Sequence, residues 1–191
     1  MLQTNFYPFP ILTTERLVLR QLNPDDDNEI FALRSDDRVN KFLDRQKCTT
    51  LEEAREFIDK INNGITNNEN VYWGITFNND NKVIGTICFW NISKENYRAE
   101  TGFELHPDFQ GKGIMHEALS KIIEFGFSVL QLKSIEGWTH ARNLSSMKIL
   151  EKNNFKRDRD AENKNKGKEE LVNMVIYSLD KKSFEEASLE K

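Results

Sequence analysis

Residues 107–118, Pro-Asp-Phe-Gln-Gly-Lys-Gly-Ile-Met-His-Glu-Ala, have the composition of a ligand-binding loop that leads into a helix. Gly111 and Gly113 allow the backbone to approach a ligand closely, and the N-terminus of a helix presents unpaired N–H donors at the positive end of its dipole. Gln110 and Lys112 flank the turn and can add donors. This combination predicts a binding site for a phosphate or pyrophosphate group.

The spacing of the glycines excludes two of the three phosphate-binding loops that compete here. A Walker-type loop needs a glycine and a serine or threonine where the chain has His106 and Gly113. A dinucleotide-binding fingerprint needs a third glycine where the chain has His116. The pattern that remains is Gln-x-x-Gly-x-small over Gln110–Met115. A glycine-rich helix start that binds no ligand stays open as the alternative.

The residues before this loop predict a strand that carries two carboxylates. Residues 98–106 alternate between the two faces of a strand, so Glu100 and Glu104 share one face while Phe103 and Leu105 share the other. Either carboxylate can deprotonate an ammonium group, directly or through a water molecule. The alternative is that the two glutamates only line a solvated face.

Three segments together resemble the GNAT acetyltransferase superfamily. They are the loop at 110–115, the segment Asn-Leu-Ser-Ser-Met-Lys-Ile-Leu-Glu-Lys-Asn-Asn-Phe at 143–155, and the segment Thr-Glu-Arg-Leu-Val-Leu-Arg at 14–20. The last of these resembles the first strand of the Rim-type branch, whose members acetylate protein amino termini and related amines. The resemblance covers about residues 12–180. It implies one α/β domain (α+β) with a mixed, centrally splayed sheet of about six or seven strands flanked by helices.

The resemblance implies that the loop binds the pyrophosphate of acetyl-CoA, a co-substrate, and that no metal is needed. It also implies that a backbone N–H around Phe103–Leu105 binds the thioester oxygen, provided that this strand bulges away from its neighbour. Asn143 either contacts the pantetheine arm or the far end of the cofactor, or only caps its helix. Met115 stands where the superfamily prefers glycine or alanine. The implied loop residues are Gln110, Gly111, Lys112, Gly113, Ile114 and Met115.

Two further roles follow from the resemblance. Many members place a tyrosine seven residues after the asparagine to protonate the leaving thiolate, and this chain has Leu150 there. Rim-type relatives offer a serine at the position of Ser146, which we expect to hydrogen-bond to the departing sulfur; the alternative is that Ser146 only packs on its helix. We expect Tyr177 and Trp90 to contact the acceptor, although strand aromatics more often belong to the core.

We therefore expect an N-acetyltransferase that transfers an acetyl group from acetyl-CoA to a primary amine, which is a protein N-terminus or a small molecule. The transfer is expected to be a direct attack in a ternary complex, because Cys48 and Cys88 lack the His/Asn partners of a covalent intermediate. The rival hypothesis is a catalytically silent acyl-CoA-binding or interaction module with the same fold. The acceptor, and the choice between the two glutamates, stay open.

The composition is that of one domain. For 191 residues we expect a single domain over 1–191, with an N-terminal arm at 1–11 and a charged tail at 181–191. A net charge of −4 argues against a nucleic-acid partner, and no apolar run reaches the ~20 residues that cross a bilayer. The N-terminus lacks the features of a secretory signal, so we expect a cytoplasmic protein, either a monomer or a homodimer.

Periodicity predicts the elements that position these residues. Strands are expected at 14–22, 71–77, 82–92, 97–105, 134–139 and 171–179. Helices are expected at about 24–35, from 51 to a stop at 62–64, from 113 onward, and at 143–153. Residues 156–170 are crowded with both charge signs, which predicts a surface loop that can gate access of the acceptor. This order of elements predicts a mixed α/β sheet.

Overall fold

The computed structural model describes residues 2, 4–43, 45–165 and 171–189, which form one sheet with helices on both faces. The strands β1 to β8 are Leu12–Thr13, Leu17–Arg20, Val71–Phe77, Gly85–Ser93, Arg98–Leu105, Ser134–His140, Lys156–Arg157 and Met174–Asp180. The helices α1 to α7 are Asp27–Ser35, Asp37–Asn40, Leu51–Thr66, Ile114–Ser128, Leu144–Lys152, Arg159–Lys164 and Lys181–Leu189.

The sheet is mixed and it splays at its centre, as expected. Its order is β1-β2-β3-β4-β5-β6-β8-β7, in which β5 and β6 run parallel and the other neighbours run antiparallel. The parallel pairing extends from Arg98↔Ser134 to Thr101↔Gly137 and stops there. Because β5 continues to Leu105 and β6 to His140, the two strands leave a gap between their C-terminal ends. The two-residue strands β1 and β7 bring the total to eight.

The two faces of the sheet are covered by different helices. Neighbouring residues of a strand point to opposite faces, and the ring of Trp73 contacts Phe125 of α4 at 5.6 Å whereas the ring of Tyr72 contacts Phe57 of α3 at 5.8 Å. The apolar positions predicted for the helix after the loop are all buried in the α4-side core, namely Ile114, Met115, Ala118, Leu119, Ile122 and Ile123. We refer below to the α4 face and the α3 face of the sheet.

The predicted start of α3 is confirmed and its predicted end is wrong. Thr50 and Glu53 form the expected capping box. The stop predicted at 62–64 does not occur, because the helix continues to Thr66 and Asn67 is its C-cap. A Cβ on Gly64 would lie 2.0 Å from the side-chain nitrogen of Asn70. This glycine therefore makes room for a neighbour and does not end the helix.

The surface loop predicted at 156–170 is wrong for its first nine residues. Lys156–Arg157 is strand β7, which pairs with β8, and Arg159–Lys164 is helix α6. Arg157 Nε donates to Glu162 Oε1 at 2.8 Å, and the same oxygen accepts the N–H of Ile176 in β8 at 3.1 Å. These bonds fasten α6 to the sheet. The remainder of the predicted loop, residues 166–170, lies outside the described residues, and the charged tail contains helix α7.

The packing of β4 against β5 predicts a large effect of Gly85→Ala. A Cβ at this position would lie 2.6 Å from the carbonyl oxygen of Glu104 and 3.1 Å from the Cα of Leu105. Since backbone atoms would have to move, we expect a loss of about 2–3 kcal/mol in the free energy of unfolding, measured by urea denaturation. Gly102→Ala on the same strand pair is the control, because its nearest neighbour would be Cys88 Sγ at 3.3 Å. An equal loss in both variants would contradict the account.

Candidate functional site

The gap between β5 and β6 leaves backbone donors of β5 without a strand partner. N–H groups alternate between the two sides of a strand. The N–H of His106 donates toward β4, to Ile84 O at 2.9 Å, so the N–H groups of Leu105 and Phe103 point away from β4 into the gap. Thr101 is the last residue of β5 that pairs with β6. Its side-chain hydroxyl oxygen, Oγ1, is buried and has no hydrogen-bond partner among the described residues. These groups fit a ligand that supplies carbonyl oxygens.

The unpaired N–H groups of Phe103 and Leu105 do not result from a bulge between β5 and β4. The register of β4 and β5 is regular from Gly85↔Leu105 to Trp90↔Glu100, and the irregularity lies further on, between Trp90 and Ser93. Around Phe103–Leu105 the pairing of β5 with β4 is therefore regular, and the strand separates from its other neighbour, β6. The departure of β6 frees the same N–H groups.

The loop before α4 has the backbone geometry of an anion site. Gly111 and Gly113 have φ angles of 75° and 76°, in the left-handed region that favours glycine. Gly113 is the N-cap of α4 and brings no side-chain acceptor to the first turn. The side chains of Ile114 and Met115 are 2% and 4% exposed in the core, so only their backbone faces the loop. A pyrophosphate fits this cradle.

Gln110 and Lys112, predicted to donate to the ligand, donate to the loop itself. Gln110 Nε2 donates to Leu105 O at 2.9 Å, and Lys112 Nζ donates to Asp108 O at 2.8 Å. Both side chains therefore shape the loop in this structure. Arg16, which sequence reasoning treated only as part of a strand, also reaches the loop, because its Nη1 donates to Lys112 O at 3.2 Å.

Glu117 in the first turn of α4 holds Arg16 in place. Its Oε2 accepts from Arg16 Nε at 2.7 Å, and its Oε1 accepts from Thr14 Oγ1 at 2.5 Å. Burial by itself would raise the pKa of Glu117, but these hydrogen bonds together lower it below its ordinary value. The carboxylate is thus charged at neutral pH, and it joins the N-terminal strands to the helix that presents the loop.

The N-terminus of α5 lies on the other side of the gap. Asn143 lies three residues after the end of β6, and its Oδ1 accepts the N–H of Ser146 at 3.2 Å, so the capping role of Asn143 is present. Ser145 is exposed and Ser146 is half-buried. Leu150 is 1% exposed, and a Cβ on Gly137 of β6 would lie 2.6 Å from its side chain. Leu150 thus packs α5 onto the sheet.

The two candidate bases have different surroundings. Glu104 is 8% exposed, and its Oε2 accepts from Arg45 Nη2 at 2.6 Å while its Oε1 accepts from Thr86 Oγ1 at 3.2 Å. Tyr72 hydrogen-bonds to the same threonine at 3.0 Å. Arg45 lies in the connection between α2 and α3, and its role was missed because nothing in the local sequence ties it to β5. Glu104 therefore joins this connection to the sheet.

Glu100 lacks an arginine partner of this kind. Its carboxyl is 8% exposed, and its strand neighbours in register are Trp90 on β4 and Glu136 on β6. Burial raises the pKa of Glu100, and the negative charge of Glu136 adds to the rise, against a hydrogen bond from the side chain of Asn91. A carboxyl with a raised pKa beside the gap is suited to accept a proton from an ammonium group near neutral pH.

Trp90 and Tyr177, the two predicted acceptor contacts, lie on opposite faces of the sheet. Trp90 pairs with Glu100 on the α3 face and is 48% exposed. Tyr177 pairs with Gly137, which pairs with Thr101 on the α4 face. It is 2% exposed, and its hydroxyl donates to Glu151 Oε1 of α5 at 2.8 Å. The structure brings Trp90 and Glu100 together and leaves Tyr177 in the core.

Two more contacts border the gap and were not anticipated. Phe42, in the connection after α2, stacks on His140 at the end of β6, with ring centroids 5.6 Å apart. Glu136 accepts from Arg98 Nη1 at 2.8 Å and from Trp138 Nε1 at 3.0 Å, on the same face as Glu100. Because Glu136 and Trp138 are two residues apart in a predicted strand, the sequence could have indicated that their side chains lie on the same face.

Comparison with known proteins assigns the chain to a family. A family model described as an acetyltransferase (GNAT) domain matches residues 16–156. The uncharacterized N-acetyltransferase p20 of Bacillus licheniformis is 32% identical over 173 residues, which are 91% of this chain and 97% of that protein. YdaF of Bacillus subtilis, a candidate ribosomal N-acetyltransferase, is 24% identical over 188 residues, 93% of this chain and 98% of its own length. The chain belongs to the GNAT acetyltransferase family, and a match of ribosomal type agrees with the Rim-type resemblance.

The fold is also shared with a solved structure that contains acetyl-CoA. The microcin C7 self-immunity acetyltransferase MccE, in complex with acetyl-CoA and AMP, superposes with a TM-score of 0.71 at 21% identity, over 87% of this chain and 93% of that one. Within the described ranges, no helix is long and apolar enough to cross a membrane. Nor do the described residues contain a group of three or more His, Cys, Asp and Glu suited to a metal ion.

The Arg45–Glu104 pair predicts a specific pattern of coupling. The two side chains are 21% and 6% exposed, so Arg45→Met leaves a buried carboxylate uncompensated and should cost about 2–3 kcal/mol of the free energy of unfolding. Adding Glu104→Gln should restore part of this loss, so that the double variant loses at least ~1 kcal/mol less than the sum of the two single variants. The measurement is a double-mutant cycle by denaturant unfolding.

The control for this cycle is the exposed ion pair of Lys47 with Asp37, whose side chains are 51% and 83% exposed. Lys47→Met should leave the stability nearly unchanged, because water screens such a pair. Strict additivity of Arg45→Met and Glu104→Gln would show that Glu104 does not depend on Arg45.

Proposed function

We propose that the protein transfers an acetyl group from acetyl-CoA to a primary amine, a protein N-terminus or a small amine, by direct attack in a ternary complex. The observation that carries the proposal is the gap after Thr101, which has a phosphate cradle on one side and a buried carboxyl with a raised pKa beside it. Membership of the GNAT family supports the same reaction.

The donor half of the site would be built almost entirely from backbone. The pyrophosphate would bind at Gly111–Met115 and the pantetheine arm would follow the gap toward β5, with Asn143 on its other side. The thioester oxygen would then meet the N–H of Phe103 or Leu105, which stabilises the negative charge that develops on it. The acetyl-CoA in the MccE complex supports this ligand for the shared fold.

The chemistry proceeds through one tetrahedral intermediate. Glu100 accepts a proton from the ammonium group, the free amine attacks the thioester carbon, and the carbon–nitrogen bond forms. The carbon–sulfur bond then breaks, and the hydroxyl of Ser146 donates a hydrogen bond to the leaving thiolate. The proton that the attacking nitrogen loses after the attack converts this thiolate to the thiol of CoA, while Glu100 keeps the proton of the ammonium group. Leu150 cannot supply this proton, because a leucine side chain has no ionisable group.

The cysteines support a route without an acyl-enzyme. Burial raises the pKa of Cys88 to about 12, and burial also raises the pKa of Cys48. A thiol with a raised pKa holds little of the nucleophilic thiolate at neutral pH. Glu100 is preferred to Glu104 as the base, because the carboxylate of Glu104 is held by Arg45.

One observation favours the rival function, a silent acyl-CoA-binding module. The position at which many family members protonate the thiolate is Leu150, so the leaving group lacks a strong acid. The environment of Glu100 argues for the enzyme, since a module that only binds acyl-CoA gains nothing from a buried carboxyl with a raised pKa. Turnover of acetyl-CoA with any amine decides between the two.

The proposed base predicts the phenotype of Glu100→Gln. We expect kcat to fall by about 10²–10⁴-fold, the usual contribution of general base catalysis, with the acetyl-CoA dissociation constant unchanged. The measurements are release of free CoA and isothermal titration calorimetry. Glu95→Gln, at an exposed turn of the same region, is the matched control. Full activity of Glu100→Gln would remove Glu100 from the mechanism.

The pH dependence follows from the raised pKa. The base is active only when deprotonated, so kcat/KM should be lost as the pH falls through the pKa of Glu100, above its ordinary value of 4.5. Glu136→Gln removes a negative neighbour that raises this pKa and keeps one acceptor oxygen, for either Arg98 Nη1 or Trp138 Nε1. The acidic limb of the profile should therefore move to lower pH in Glu136→Gln, and a shift to higher pH would contradict the assignment.

A further inference from the structure

A polar cavity lies on the α3 face of the sheet, beside the proposed base. Its volume is about 360 Å³, and strands β5 and β6 form its floor while α6 forms its wall. Its lining includes Arg98, Glu136, Trp138, Asp158, Asp160, Ala161 and Lys164. Glu100 shares this face, because it pairs with Glu136.

Trp138 is the lining residue of the cavity that lies nearest the gap. Trp138 follows Gly137, the last residue of β6 that pairs with β5, so it stands at the edge of the gap. Arg98 belongs to the first pair, three residues before Thr101, which is about 10 Å along a strand. An amine held at the gap beside Glu100 would therefore place the rest of its molecule in this cavity.

The cavity contains a buried donor that the protein leaves unpaired. Both oxygens of Glu136 are occupied, one by Arg98 Nη1 at 2.8 Å and the other by Trp138 Nε1 at 3.0 Å. Arg98 Nε is buried and has no hydrogen-bond partner among the residues that the structure describes. A buried polar group without a partner is costly, so this N–H points to an oxygen supplied by a ligand.

The charged and hydrogen-bonding side chains of the cavity indicate which chemical groups that ligand carries. Arg98 and Lys164 are cationic, while the carboxylates of Glu136 and Asp158 are already engaged, the latter as the cap of α6 through Ala161 N at 2.9 Å. A second ammonium group brings only donors and an alkyl chain brings neither donors nor acceptors, so both would leave Arg98 Nε unpaired. An uncharged group with both donors and acceptors matches the cavity best, because Asp160 can accept while Arg98 donates.

We propose that this cavity binds the part of the acceptor beyond its amine, and that this part is an uncharged hydrogen-bonding group, an amide or a hydroxyl, that accepts from Arg98 Nε. The proposal rests on the function proposed above and adds the substrate class. A peptide and an amino sugar both carry this chemistry. Polyamines and simple alkylamines do not, and they are expected to be poor acceptors.

The first test compares acceptors by free-CoA release, using trialanine amide, glucosamine, spermidine, hexylamine and ethylamine. With the wild-type protein, kcat/KM for trialanine amide or glucosamine should exceed that for spermidine and hexylamine by at least about tenfold, the usual effect of a charge-assisted hydrogen bond. Whichever of trialanine amide and glucosamine has the higher kcat/KM shows whether the acceptor is a peptide or an amino sugar. A preference for spermidine or hexylamine would overturn the proposal.

The second test uses Arg98→Lys, which keeps a cation for Glu136 and removes the Nε–H. The KM for the preferred acceptor should rise by about tenfold with kcat less affected, and the affinity for acetyl-CoA should not change. Arg38→Lys is the control, since Arg38 forms an ion pair with Asp36 and does not line this cavity. An unchanged KM in Arg98→Lys, or an equal loss for ethylamine and the preferred acceptor, would refute the role of Arg98.

Ala161→Phe tests the cavity without touching Arg98. The larger side chain on α6 should fill the space and reduce kcat/KM for the preferred acceptor more than for ethylamine, while thermal unfolding checks that the fold is intact. If the wild-type protein acetylates ethylamine but gains nothing from an amide or hydroxyl group, the cavity proposal fails and the proposed function stands. If it acetylates no amine, the proposed function fails.

Discussion

The separation of β5 from β6 after Thr101 is the constraint on which the rest of the site depends. Backbone N–H groups inside a sheet normally have partners, and leaving them unpaired costs free energy. Here the two strands diverge in the middle of the sheet, and the exposed N–H groups of Phe103 and Leu105 form the wall of the gap. The loop at Gly111–Gly113 and the N-terminus of α5 approach the same gap from its two sides. The site is therefore an interruption of the pairing between β5 and β6, next to the N-termini of α4 and α5.

The polar residues around the gap are held by paired charges, which leaves Glu100 as the exception. Arg45 holds Glu104, and Arg98 together with Trp138 holds Glu136. Removing one member of a partly buried ion pair leaves an uncompensated charge, which costs more free energy of unfolding than the intact pair contributes. These pairs therefore fix the geometry of their side chains and add little to the stability of the protein. Burial and the neighbouring charge of Glu136 keep the proton affinity of Glu100 high. The same arrangement that destabilises its charged form suits it to accept a proton.

The sequence predicts the elements well because their signals are local. The strand predicted at 71–77 is β3, and helical spacing identified the buried face of α4. It could not predict contacts between distant segments, such as Arg45 with Glu104, 59 residues apart. The strand containing Tyr177 was found, but its face depends on the register of β8 against β6. Mixed charges at 156–164 suggested a loop. The hydrogen bond from Ile176 N–H to Glu162, which fastens α6 to β8, joins residues 14 positions apart and could not be predicted from the local sequence.

The central claim is that Phe103 and Leu105 direct their N–H groups to the thioester, and amide NMR tests it most directly. Spectra and hydrogen exchange of these two amides should be recorded with and without acetyl-CoA. The account predicts large shifts and protection at Phe103, Leu105 or both on binding. The amides of Gly102 and Glu104, which face β4, should change far less and serve as an internal control. Binding of acetyl-CoA that leaves Phe103 and Leu105 unchanged, or protects only Gly102 and Glu104, would contradict the account.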